Sequence, residues 1–219
     1  MAKIIAVVHP KGGVGKTTTS MALAGELATR GQRVLLVDAD PQASSVAWSS
    51  SAPDAVPFPA AVINLAQYGG KIHREIQKHL ANYDIIIVDT PPNLEATAPQ
   101  SVLLIADLAL IPQPPSPADL WAARGVKKLV EIAQTVNPEL RPFILPNRLS
   151  RTSLSKAILA QLDTFGIPVL KSRFSNRVAY QEAVIEGLAV GSLGKEANQA
   201  VAEVGALADE ILALLGEPA

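Results

Sequence analysis

Lys3-Ile-Ile-Ala-Val-Val-His9 runs directly into Pro10-Lys-Gly-Gly-Val-Gly-Lys-Thr-Thr-Thr19. An apolar run of this kind reads as a strand, and the glycine-rich turn after it reads as a phosphate-binding loop that opens a helix. Strand, turn and helix in this order aim successive backbone N–H groups, and the positive end of the helix dipole, at one point. Gly12, Gly13 and Gly15 suit such a loop, because a Cβ would hinder both the backbone angles and the close approach of a phosphate. Lys16 is expected to reach the β- and γ-phosphates, Thr17 to offer its hydroxyl to Mg²⁺, and Thr18 to meet the α-phosphate; Val14 lies inside the loop. Gly15-Lys16-Thr17 fits the usual pattern, but Pro10 stands where the first glycine would be, and Lys11 is an additional lysine. The following helix is expected over about 16–30, with Met21, Leu23, Ala24, Leu27 and Ala28 on its apolar side.

Two further runs end in acids. Ile85-Ile-Ile-Val-Asp89 reads as a buried parallel strand whose terminal carboxylate, Asp89, holds Mg²⁺ beside the loop. Arg33-Val-Leu-Leu-Val-Asp38-Ala-Asp40-Pro-Gln42 places two acids two positions apart. If strand geometry persists they point the same way, Asp38 toward the metal and Asp40 toward an attacking water. A capping role for one of the two acids is the other reading.

Strands expected at about 3–9, 33–38, 84–89, 107–112 and 141–147 alternate with helical stretches. That is the pattern of an α/β, doubly wound, mostly parallel sheet of P-loop NTPase type, with ligands at the carboxyl ends of its strands. With 219 residues, 48% hydrophobic and only 4% aromatic, the chain reads as a single domain, 1–219, packed on aliphatic side chains. Zero cysteines exclude disulfides and thiolate-bound metal or iron–sulfur clusters. No apolar segment is long enough to span a bilayer and no signal peptide is evident, so a cytosolic protein is expected. Residues 49–61, rich in Ser, Pro and Ala, read as a surface loop. The prolines of the stretch 111–117 pre-set an extended loop, which reads either as part of the site or as a rigid connector into Asp119-Leu-Trp121.

Pro10–Thr18, Asp38-Ala-Asp-Pro-Gln42 and Val88-Asp-Thr-Pro-Pro92, in that order, resemble the ParA/MinD family of deviant-Walker-A ATPases, and within it the short ParA-type, ParF-like partition ATPases. The likeness spans most of the chain, since Ile111-Pro112 with Pro114, Pro115, Pro117 and Asp119, and Leu145-Pro-Asn-Arg148, also fall where that group has them. The resemblance implies ATP/ADP and Mg²⁺ as ligands and slow intrinsic hydrolysis. It implies an ATP-dependent homodimer in which Lys11 crosses to the partner's phosphates, as an arginine finger does. It assigns Asp40 to the hydrolytic water and Asn147 to adenine, although an Asn after a strand is also a common turn residue. His9 departs from the family's usual Asn or Gln, and is expected to pack or to make a backbone hydrogen bond. The long N-terminal extension that carries a helix-turn-helix in some members is not expected.

The resemblance further implies non-specific nucleoid DNA as platform and a ParB-like or other cargo adaptor as partner. A net charge of −1 and a pI near 6.3 do not advertise DNA binding. Two local groups do: Lys171, Arg173 and Arg177, with no acid among them in sequence, and Arg148, Arg151 and Lys156. An ordinary solvated surface is the alternative. The chain's last amphipathic stretch carries only acids, Asp209, Glu210 and Glu217, so membrane recruitment is not expected.

Overall fold

The computed structural model describes residues 1–93, 96–162 and 164–216, with the side chains of Leu120 and Ala123 excepted. Glu217, the last acid of the terminal stretch, lies outside the described residues. Among the described residues six strands form one sheet: β1 Lys3–Val7, β2 Val34–Asp38, β3 Ala61–Asn64, β4 Ile85–Asp89, β5 Leu108–Gln113 and β6 Arg141–Pro146. Their order is β3-β2-β4-β1-β5-β6, and every adjacent pair is parallel. Runs such as Ile85–Val88 are buried throughout because helices cover both faces of the sheet.

The helices are α1 Lys16–Thr29, α2 Ser44–Ser50, α3 Ile72–Gln77, α4 Thr97–Leu103, α5 Pro117–Gln134, α6 Ser153–Leu162, α7 Ala179–Glu186 and α8 Asn198–Leu215. Alternation along the strands divides the core into two. Ile5, Val7, Leu36, Ile85, Ile87 and Leu110 pack with α1, α2, α7 and α8. Ile4, Ala6, Leu35, Val37, Ile86 and Val88 pack with α3, α4, α5 and α6. The amphipathic face of α8 is spent internally: Leu207, Ile211 and Leu212 are buried in the first layer, and Arg30 at the end of α1 pairs with Asp209.

From β1 the chain winds to β2 over one face, and from β4 it passes over the other face to β5. The strand order therefore reverses around β1 and β4, and their carboxyl ends open a crevice there. The register sets Val7 opposite Asp89 and Asp38 opposite Asp89, so the loops after β1, β2 and β4 meet at that point.

The structure refines three sequence expectations. The segment 49–61 is not one loop: α2 reaches Ser50 and Ala61 begins β3. That edge strand is only half-covered and lacks the continuous apolar run of its neighbours, which is why it was illegible. His9 lies beyond β1, and α1 ends at Thr29 with Arg30 as its cap.

Candidate phosphate-binding site

Gly15 stands immediately before α1 with φ 93°, in the left-handed region open to glycine. A Cβ there would lie 2.4 Å from Asn147 Nδ2, so both conformation and space exclude a side chain. Among the described residues no side chain is seen to cap α1, and its first turn carries no acid. The free N–H groups and the positive end of its dipole are thus left uncompensated, as an anion site requires. Gly12, Gly13, Gly15, Lys16, Thr17 and Thr18 line a cleft of about 370 Å³, closed on the far side by Asn147, Arg148 and the segment from Ser175 to Val184.

The two lysines of the loop take opposite directions. Lys16 is buried, and its Nζ donates to the Lys11 carbonyl at 2.9 Å. Burial lowers its pKa, with Asp89 and Asp40 opposing that shift. Lys11 turns outward, and its Nζ pairs with Asp119 Oδ1 at 2.9 Å in the first turn of α5. The proline-rich stretch serves as the connector: Ser116 precedes α5 and Pro117 occupies its first turn, where a missing N–H costs nothing. It thereby brings Asp119 to the signature lysine.

Asp89 is buried at the floor of the site. It accepts from Thr17 Oγ1 at 2.7 Å and from Ser45 Oγ at 3.0 Å, with Ser20 Oγ at 3.4 Å. Burial pushes its carboxyl up to about 6 and the neighbouring Asp38 charge adds to the shift, against the Thr17 and Ser45 hydrogen bonds and Lys16. A hydroxyl and a carboxylate side by side next to a phosphate cradle fit Mg²⁺, which is commonly held by one or two protein oxygens together with substrate phosphates.

Asp38 and Asp40 do not point the same way. The strand ends at Asp38 and the chain turns sharply, with Ala43 at φ 53°. Asp38 is wholly buried, and its two oxygens accept the N–H groups of Asp40, Ser45 and Val46, so it caps α2, a role that competes with the metal ligation expected of it. Asp40 alone of the pair lines the cleft, its Oδ1 accepting the Gln42 N–H.

Asn147 lies at the end of β6, in the cleft wall. Its Nδ2 donates to the Val14 carbonyl at 2.9 Å and its Oδ1 accepts the Arg148 N–H, so the amide fastens the loop from behind and leaves one N–H unspent.

The basic groups are placed differently from their sequence grouping. Arg148, at φ 54°, donates through Nη1 to the Gly13 carbonyl at 2.6 Å and belongs to the cleft. Arg177 is bound to Glu203 at 2.7 Å and to Gln199, and it too lines the cleft. Acids that are remote in sequence reach this cluster from α8: Glu203 also takes the Ser175 and Tyr180 hydroxyls, and Glu210 takes the Lys171 and Ser172 N–H groups. The side chains of Lys171, Arg173, Arg151 and Lys156 are exposed and free of ion pairs among the described residues. Glu203 went unnoticed in sequence, and its place in the helix α8 offered no local signal.

Residues 5–190 match the family model described as the CobQ/CobB/MinD/ParA nucleotide binding domain. The maintenance of carboxysome distribution protein A of Halothiobacillus neapolitanus is 34% identical over 220 residues, covering 95% of each chain. The sporulation initiation inhibitor protein Soj of Bacillus subtilis is 28% identical, over 85% of this chain and 89% of its own. In fold, the chain is similar to apo McdA of Cyanothece, with a TM-score of 0.79 at 18% identity over 98% of this chain and 100% of that one. It is similar also to the cell division ATPase MinD of Pyrococcus furiosus, with a TM-score of 0.75 at 23% identity over the same shares. From its sequence and its phosphate cradle alike, the chain belongs to the CobQ/CobB/MinD/ParA nucleotide-binding domain family.

Proposed function

We propose that this protein is a ParA-type positioning ATPase of the cytoplasm. ATP with Mg²⁺ drives a homodimer that binds nucleoid DNA without sequence preference, and an adaptor protein stimulates slow hydrolysis and release, so that a cargo is spaced or segregated. The divergence of the two lysines carries this reading. Lys16 serves the phosphates of its own cleft, whereas the Lys11 side chain leaves that cleft to pair with Asp119 and is 40% exposed, where a second chain can meet it. A cation supplied in trans stabilises the charge of a transferring phosphoryl group.

The other roles follow from position. Thr17 and Asp89 hold Mg²⁺, which when bound offsets the phosphate charge; Asp40 orients the water; Asn147 has one amide hydrogen left for the base. Lys171, Arg173, Arg151 and Lys156 remain the DNA candidates, since Arg148 and Arg177 are committed to the cleft. The carboxysome distribution relatives, at 34% and 35% identity over 95% of this chain, favour a large protein assembly as cargo over a plasmid.

Asp40→Ala separates a hydrolytic switch from a dimer in which hydrolysis is incidental. The switch reading expects ATP binding to persist, turnover to fall by about 100-fold or more, and the protein to stay on DNA once ATP is added. Wild-type release kinetics with abolished turnover would contradict it.

The elevated Asp89 carboxyl makes a second expectation. Cation binding requires the carboxylate, so Mg²⁺-dependent nucleotide binding weakens as pH falls through about 6 and releases a proton near that pH. The sign for folding is opposite: the raised pKa favours the protonated folded state, so this contribution is full below the ordinary 3.8 and is lost as pH rises to about 6. Calorimetry in buffers of different ionisation enthalpy checks the released proton, which is absent in Asp89→Asn.

A further inference from the structure

The His9 imidazole is fully buried just beyond β1, and its Nδ1 accepts the Lys11 N–H at 3.2 Å. A neutral ring that accepts at Nδ1 must carry its proton on Nε2. That Nε2 has no partner within hydrogen-bond geometry among the described residues, and neither has Gln113 Oε1, though both atoms are shielded from water. Parallel pairing of β1 with β5, Val7 opposite Leu110, runs the chain just beyond β1 alongside the last residues of β5, where the Gln113 side chain faces the ring. The Gln113 amide cannot simply flip, because its Nε2 donates to the Pro114 carbonyl at 3.0 Å. One buried donor and one buried acceptor, each without a partner among the described residues, thus lie at the same end of adjacent strands. Two buried polar groups are costly when left unmade and inexpensive to join.

We propose that His9 is a positioning residue for Lys11: Nδ1 holds the Lys11 backbone N–H, and Gln113 Oε1 keeps the ring proton on Nε2. Lys11 is then fixed at both ends, its backbone by His9 and its ammonium by Asp119, which follows the connector that Gln113 begins. The charged groups facing the ring are Lys16 and Lys11 of the loop and Asp119 of α5. Burial and then Lys16 hold the imidazole down at about 4, against Asp119, so the ring stays neutral at physiological pH. The proposal rests on the reading of Lys11 given above, and it adds the residues that aim it.

The test uses the full chain. Long-range ¹H–¹⁵N spectra identify the His9 tautomer, with His9→Asn removing its signals from those of His73 and His79. The expected result is an Nε2–H tautomer that persists from about pH 8 to about pH 5 and a slowly exchanging Lys11 amide. In Gln113→Leu the ring is free to move its proton to Nδ1, and that amide loses its protection. His9→Ala is expected to bind ATP within about 2-fold of wild type, yet to lose about 10- to 100-fold in turnover and in ATP-dependent dimerisation. In His9→Asn the side-chain oxygen accepts the same N–H two residues on, as an Asx-turn, and brings turnover back to within about 3-fold. An Nδ1–H tautomer in the wild-type protein overturns the proposal, and that spectrum decides even where His9→Ala does not fold. A normal His9→Ala beside a defective Lys11→Ala overturns it alone. A normal Lys11→Ala overturns the underlying reading of the lysine instead.

Discussion

Lys16→Ala is expected to lose ATP binding by about 100-fold or more while remaining folded, because a charge-assisted contact from a desolvated ammonium contributes about 1.5–3 kcal/mol or more and phosphates supply several such acceptors. The nucleotide-free fold is not expected to depend on this ammonium. Burial of Lys16 works against its charge, as the lowered pKa records, and among the described residues its ammonium donates to the loop's own Lys11 carbonyl. Calorimetry of nucleotide binding, with thermal unfolding of the nucleotide-free protein beside it, separates loss of site from loss of fold. Unchanged ATP affinity would remove the phosphate-cradle assignment.

Lys11→Ala has the second large effect, of a different kind. Its ammonium points away from the cleft, so ATP binding to the single chain is expected to stay within about 3-fold, whereas ATP-dependent dimerisation and turnover fall by about 1000-fold, the scale of an arginine finger. Stability is expected to change little. The Lys11–Asp119 pair is 40% and 16% exposed, and ion pairs of such exposure contribute about 1 kcal/mol or less. Light scattering with and without ATP reads the dimer directly, and a normal ATP-induced dimer in this variant would contradict a lysine acting in trans.

The legible part of the site was whatever short-range pattern and sheet register could place. Strand, glycine turn and helix put Lys16 and Thr17 in the cradle, and the run ending in Asp89 places that carboxylate beside Val7 and against Thr17. Asp38 and Asp40 were read as pointing the same way, with a cap for one of them as the other reading, because their spacing assumes a strand that in fact ends at Asp38. The left-handed Ala43 then turns Asp38 inward as a helix cap and leaves Asp40 in the cleft. The basic cluster misled for a related reason. Glu203 and Glu210 stand about two turns apart on α8, remote in sequence from Arg177 and Lys171, and only the packing of α8 brings them there. Likewise Arg148 takes a left-handed backbone conformation that returns its side chain to the Gly13 carbonyl. Local periodicity carries none of this information, because each case depends on a turn angle or on helices meeting across the sheet.

The most direct test of the central claim is retention of the purified protein on non-specific duplex DNA with ATP, with ADP and without nucleotide, at two salt concentrations. The account expects retention with ATP alone, weakened steeply by salt, as release of counterions from several phosphates requires. Equal retention in all three states, or none in any, would contradict a nucleotide-gated DNA platform.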